Sequence, residues 1–146
     1  MDVETAPKRL LSLPSWLIGQ IALKAQKLGA VRFAAVGASR SQYAVLSALD
    51  EYGPASQIEL GRRCGFDRSD MVALLNELQT EALVERQPDE GDRRRNVVTI
   101  TAAGRRRLGK LAAVAETVQD ELLAPLSPSE RTHLTSLLRR ILEPPS

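Results

Sequence analysis

The chain has 146 residues, of which 43% are apolar, 26% charged and only 3% aromatic, with a formal net charge of +2. This suits one domain, or one domain with a dimerisation arm, and a core filled by Leu, Val, Ile and Ala leans helical. One cysteine, Cys64, and one histidine, His133, exclude an intramolecular disulfide and a Cys/His metal cluster, while so small a net charge assigns no nucleic-acid partner without a local pattern.

Residues 1–13 read as a loose arm, and Met1-Asp2-Val3-Glu4 lacks the basic-then-apolar order of a signal peptide. Pro14 and Ser15 open a helix through a preset φ and an N-cap. To about Val36 its apolar residues recur as Leu17, Ile21, Ala25, Leu28, Val31 and Ala35, the spacing of an amphipathic helix. Lys24, Lys27 and Arg32 interrupt the stretch, so it is not a membrane span, and a cytoplasmic protein is expected. Gly37 ends the helix.

Ser39 or Ser41 caps a second helix that buries Tyr43, Leu46 and Leu49 and stops before Gly53-Pro54. Ser56 caps a short third helix, Gln57 to Cys64, with Glu59 at capping-box spacing. Gly65 stops it and Asp67 opens a fourth helix, from about Arg68 to Glu81; this is the spacing of a helix-turn-helix. In the fourth helix Met71, Leu74, Leu75 and Leu78 form the core stripe. Ser69, Val72, Ala73 and Asn76 share the opposite face, with Arg68 and Asp70 in the first turn.

Leu83-Val84-Glu85-Arg86 reads as a strand that returns as Val97 to Ile100, after a tip spanning Asp89 to Arg95. The tip carries Asp92 and three consecutive arginines, Arg93, Arg94 and Arg95. Thr101 caps a long helix from about Ala102 to Leu123, opened by Arg105-Arg106-Arg107, one of which is a candidate partner for Glu85. Pro125 breaks it. Ser127 and Glu130 form a second capping box, and the last helix, to about Leu142, lines Leu134, Leu137, Leu138 and Ile141 on one face. The fold class is therefore mainly α with a small two- or three-stranded β wing.

A cationic tip on a projecting hairpin suits phosphates and the minor groove, and a helix face of small and polar residues can enter a major groove. The candidate DNA-binding residues are Ser56, Gln57, Arg62, Arg68, Ser69, Asp70, Val72, Ala73, Asn76, Asp92, Arg93, Arg94 and Arg95, with Arg63 beside them. On this reading Asn76 reads an adenine edge, Val72 or Ala73 touches thymine methyls, and Arg95 serves a phosphate. The alternative is a solvated helix face and a solvated loop, in a module that binds protein and never touches DNA. There is no Ser-His-Asp set, phosphate loop, metal cluster or paired-carboxylate pocket, so neither an enzyme nor a cofactor is expected. Cys64 reads as a small buried hydrophobe rather than a redox sensor.

The helix-turn-helix, Leu83-Val84-Glu85-Arg86, the tip Asp92-Arg93-Arg94 and Thr99-Ile100-Thr101-Ala102-Ala103-Gly104 resemble the MarR (multiple antibiotic resistance regulator) family over nearly the whole chain. The resemblance implies a winged helix-turn-helix lobe over residues 40–104 and a helical dimerisation region over 10–36 and 108–142. It also implies a homodimeric transcriptional regulator, a repressor, that binds a pseudo-palindromic double-stranded DNA operator. Asp92 would orient Arg94, while Arg94 or Arg93 enters the minor groove. A small phenolic or amphipathic effector would lie in a crevice with Trp16, Gln20, Phe33, Tyr43 and Tyr52 as candidate liners. The chain departs from the family pattern at Ala73 and Glu77, where many relatives are basic, and at Asp70, where a hydroxyl is common. That shifts the expected grip toward the third helix and the wing.

Overall fold

Side-chain caps start the later helices where the sequence places them, whereas Ser15, expected to cap the first long helix, lies inside it, because that helix begins at Pro14. In the computed structural model, which describes residues 1–145, the elements in order are α1 (Lys8–Leu11), α2 (Pro14–Ala34), α3 (Arg40–Tyr52), β1 (Ala55–Ser56), α4 (Gln57–Cys64), α5 (Arg68–Thr80), β2 (Val84–Pro88), β3 (Asn96–Ile100), α6 (Ala102–Leu122) and α7 (Pro128–Leu142). Ser39, not Ser41, caps α3 by accepting from the Gln42 N–H at 3.2 Å. Asp67 caps α5 through the Asp70 N–H at 2.8 Å, and Thr101 caps α6 through the Gly104 N–H at 3.0 Å. At α7 the box is complete: Ser127 accepts from the Glu130 N–H, and Glu130 accepts from the Ser127 N–H at 2.8 Å. Each such cap contributes about 1 kcal/mol.

Two local expectations change, and one alternative is decided. The arm is not wholly loose, because residues 8–11 close one helical turn, with the Leu11 N–H donating to the Pro7 carbonyl. Of the two- or three-stranded wing expected, the three-stranded form is the one observed. β3 is central and antiparallel to both neighbours, pairing Ala55 with Val98 on one side and Arg86 with Val98 on the other. The capping box at α4 is only half formed. Ser56 accepts from the Glu59 N–H, but the Glu59 carboxylate takes the Ser56 hydroxyl at 3.0 Å instead of the Ser56 N–H.

The chain divides into two units, residues 29–115 and residues 1–28 with 116–146. In the first, Val45, Leu46, Leu49, Leu60, Met71, Leu75, Leu78, Val84, Val98 and Leu111 are sealed from solvent, and Phe33 packs with them. Each large side chain so buried stabilises the unit by roughly 1.5–3 kcal/mol before entropy is counted. The α5 stripe of Met71, Leu74, Leu75 and Leu78 faces this core as its spacing requires. α5 ends with Ala82 in the left-handed region (φ 60) and a bond from the Leu83 N–H to the Leu78 carbonyl, which turns the chain into β2.

α6 meets the turn closely. A Cβ on Gly104 would lie 2.2 Å from the Leu83 carbonyl oxygen, so this position admits only glycine. The Thr101 hydroxyl donates to the Ala82 carbonyl at 2.7 Å, closing the same corner. The expected pairing of Glu85 with the arginine run gives way to two other partners. Arg105 lies 3.5 Å from Asp50, and Arg107 pairs with Glu81 while donating to the Val36 carbonyl.

In the other unit Val118 is buried and Arg131 pairs with Asp120 at 2.9 Å. Its apolar stripes stay largely uncovered in the single chain: Ile18, Ile21 and Leu23 on α2, and Leu137, Leu138, Ile141 and Leu142 on α7, are exposed. No helix among the described residues is long and apolar enough to cross a membrane.

Candidate nucleic-acid interface

Glycine at position 65 lets the chain reverse between α4 and α5. Its φ of 74° is left-handed, and its N–H closes on the Gly61 carbonyl, ending α4 and aiming α5 across it. With β3 paired to β1 just before α4, the hairpin tip comes back beside the start of α4. One open groove results, lined by Ser56, Gln57, Ile58, Arg62, Arg68, Arg94, Arg95 and Asn96, with Gly61, Phe66 and Met71 at its floor. The described lining residues bring four guanidinium groups and no carboxylate to a single concave surface.

Six residues expected from sequence meet there: Ser56, Gln57, Arg62, Arg68, Arg94 and Arg95. Ser69 and Val72 lie with Arg68 on the exposed face of α5. Asp70 and Ala73 are also exposed but line a separate concavity with Ser39, Ser41 and Glu77. Asn76 is exposed, yet its amide oxygen already accepts from the Arg86 guanidinium. Arg93 is exposed at the tip.

Asp92 and Arg94 are coupled by two bonds. The Asp92 carboxylate accepts from the Arg94 N–H at 3.1 Å and from its Nε at 3.4 Å, while the Arg94 side chain remains 94% exposed. The tip itself is closed by a pair of backbone bonds, Asp89 N–H to Arg95 and Arg95 N–H to Asp92. Arg95 turns the other way, toward α4, where Glu59 holds it at 3.3 Å. Glu59 also pairs with Arg63 at 3.7 Å, and Arg63 sits 4.9 Å over the Tyr52 ring. The Ser56 hydroxyl above all, with Arg63 and Arg95, holds the Glu59 carboxyl below the ordinary glutamate range. Asp67 is lowered chiefly by the Asp70 N–H that it caps.

Glu59, Asn96 and the Arg86 contact were missed in the sequence. Glu59 read as a cap residue only, and Arg86 only as a strand residue. Alternation held a signal, since Arg86 shares a strand face with the buried Val84.

The candidate effector residues are not brought to one place within the residue 29–115 unit. Phe33 and Tyr43 stack at 5.9 Å against the core, whereas Tyr52 is exposed beneath Arg63. Trp16 and Gln20 belong to the other unit, where the Trp16 indole N–H donates to the Met1 sulfur at 3.4 Å. Cys64 is half-buried and donates to the Ala44 carbonyl, and burial pushes its thiol up, which makes it a poor nucleophile at neutral pH.

Residues 36–95 match the family model described as "MarR family". The chain is 30% identical over 102 residues to the HTH-type transcriptional repressor NicR of Pseudomonas putida, a match covering 70% of this chain and 65% of NicR, so it spans just under two thirds of that relative. It is 30% identical over 128 residues to the transcriptional activatory protein BadR of Rhodopseudomonas palustris, covering 85% of this chain and 73% of that protein. Among solved structures, a probable transcriptional regulator from Pseudomonas aeruginosa superposes with a TM-score of 0.80 at 32% identity, over 90% of this chain and 98% of that one.

Proposed function

Since this chain belongs to the MarR family, we propose that it is a homodimeric transcriptional regulator that binds a pseudo-palindromic operator in double-stranded DNA. The observation that carries the reading is the groove in which Arg62, Arg68, Arg94 and Arg95 converge around the start of α4, the start of α5 and the wing tip. Such a surface neutralises phosphates on either side of a groove while an exposed helix face meets base edges. Arg94 enters the minor groove with its direction set by Asp92, which reduces the freedom lost on binding. Arg62 and Arg68 contact phosphate. The exposed face of Ser69 and Val72 enters the major groove.

A single lobe grips a short site, and two symmetric lobes supply the affinity that an operator requires. The uncovered leucines of α7 and isoleucines of α2 are the surface assigned to the second copy. The sign proposed is repression, because a dimer across a promoter excludes polymerase by occupancy alone. NicR and BadR carry the names of a repressor and an activator, and a promoter–reporter assay reads the sign for this chain.

The test is selection of bound duplexes from a random pool. Two inverted half-sites centred about one helical turn apart are expected. A pool that shows no enrichment would favour the protein-interaction module instead.

A further inference from the structure

We propose that Arg86 is a positioning residue, one that locks the wing hairpin to α5 and thereby sets where Arg94 meets DNA; the proposal rests on the DNA-binding reading above. Arg86 leaves the middle of β2 on the side of the buried Val84 and reaches back to α5. Its Nε donates to the Gln79 side-chain oxygen at 2.6 Å, and its Nη2 donates to the Asn76 side-chain oxygen. Asn76 and Gln79 are three residues apart on one helix face, so their two amide oxygens match the fork of a guanidinium. Lysine has no such fork.

The lever arm shows why this matters. Along the chain the hairpin follows α5 through the short turn at residues 81–83. β1 pairing and the Glu59–Arg95 contact brace it on the α4 side, and Arg86 braces it on α5. At ~3.3 Å per residue the five residues of β2 put its tip roughly 16 Å from that root. A pivot of about 10° would move the tip by roughly 3 Å, enough to take Arg94 out of contact. The amide pair is neutral, so the bridge leaves the local charge unchanged. Arg86 itself is half-buried and outside the arginine groove. It therefore acts on affinity through geometry and contributes no phosphate contact.

The experiment is a salt series of binding titrations on the selected duplex, with the full-length chain and its variants. Arg86→Ala is expected to weaken binding roughly tenfold or more while the slope of log affinity against log salt stays at the wild-type value. Arg86→Lys should behave like Arg86→Ala. Gln79→Ala, at an exposed position that leaves the core intact, should lose affinity in the same slope-preserving way, Gln79→Glu should restore it, and Gln79→Ala should cost little more once Arg86 is gone. These arms hold even where Arg86→Ala folds poorly by circular dichroism. Unchanged affinity in Arg86→Ala and Gln79→Ala would overturn the proposal, as would a slope flattened by about 0.9, the mark of a lost phosphate contact. If wild type enriches no duplex, both the DNA reading and this proposal fail; if wild type binds and these variants match it, only this proposal fails.

Discussion

The Glu59 carboxylate lies 3.3 Å from the Arg95 guanidinium across 36 residues of sequence, and it ties the wing tip to the first turn of α4. The same carboxylate takes the Ser56 hydroxyl and faces Arg63. Of the three tip arginines, Arg95 is thus partly neutralised within the protein, while Arg94 projects into solvent.

Replacing Glu59 by Ala should therefore release Arg95 and remove one negative charge from the rim of the groove. Affinity for random-sequence DNA should rise, with the salt slope steepened by up to about 0.9. Discrimination between operator and random duplex should fall, because the wing loses a brace. Titrations on both duplexes over a salt series measure all three effects.

The pH dependence follows from the same carboxylate. Because Glu59 is held below its ordinary range, its contribution to the folded state is fully present above the unfolded glutamate pKa, about 4.3, and is lost as pH falls through the lower folded value. Asp67 follows the same sign at the start of α5. Carboxyl NMR titration should show both midpoints below those of unfolded peptides. The coupling of Arg95 to Glu59 should be lost at a pH below that at which an unfolded glutamate protonates.

Glycine at 104 and glycine at 109 provide an internal contrast on one helix. Gly104→Ala places a methyl 2.2 Å from the Leu83 carbonyl and should destabilise by about 1–3 kcal/mol, loosening the corner between α5, β2 and α6. Gly109 has open space around it, so Gly109→Ala should stabilise by up to about 1 kcal/mol through helix propensity. Thermal unfolding of the two variants should shift in opposite directions.

Truncation after Pro125 removes α7 with its exposed Leu137, Leu138, Ile141 and Leu142. The full chain should sediment as a dimer, and the truncated chain as a monomer or as aggregate. A truncated chain that sediments as a normal dimer would refute the assignment of this surface to the second copy.

The features legible in the sequence are the local ones. Ser39, Asp67, Thr101 and Ser127 each cap the helix that follows, because a cap is written within four residues. The α5 stripe and the hairpin follow from periods of 3.6 and 2. Contacts that cross elements leave no such trace. The strand at Ala55–Ser56 is two residues long and exists only because β3 lies beside it. Glu59 reads as a cap until the hairpin returns Arg95 to it, and Arg107 selects Glu81 over Glu85 because α6 is docked on the turn after α5. Within the groove the arginines were readable, but Asn96, and outside it the contact of Arg86 with α5, became visible only through the fold.

The measurement that tests the central claim most directly is the salt dependence of operator binding in wild type, Arg94→Ala and Asp92→Ala. Arg94 is almost wholly exposed, so its loss should leave the fold and the dimer unchanged while cutting affinity sharply and flattening the salt slope by about 0.9 per lost phosphate contact. Asp92→Ala should weaken binding less than Arg94→Ala, because the guanidinium survives without its guide. Equal affinity and equal slope in all three proteins would contradict the wing's role in gripping DNA.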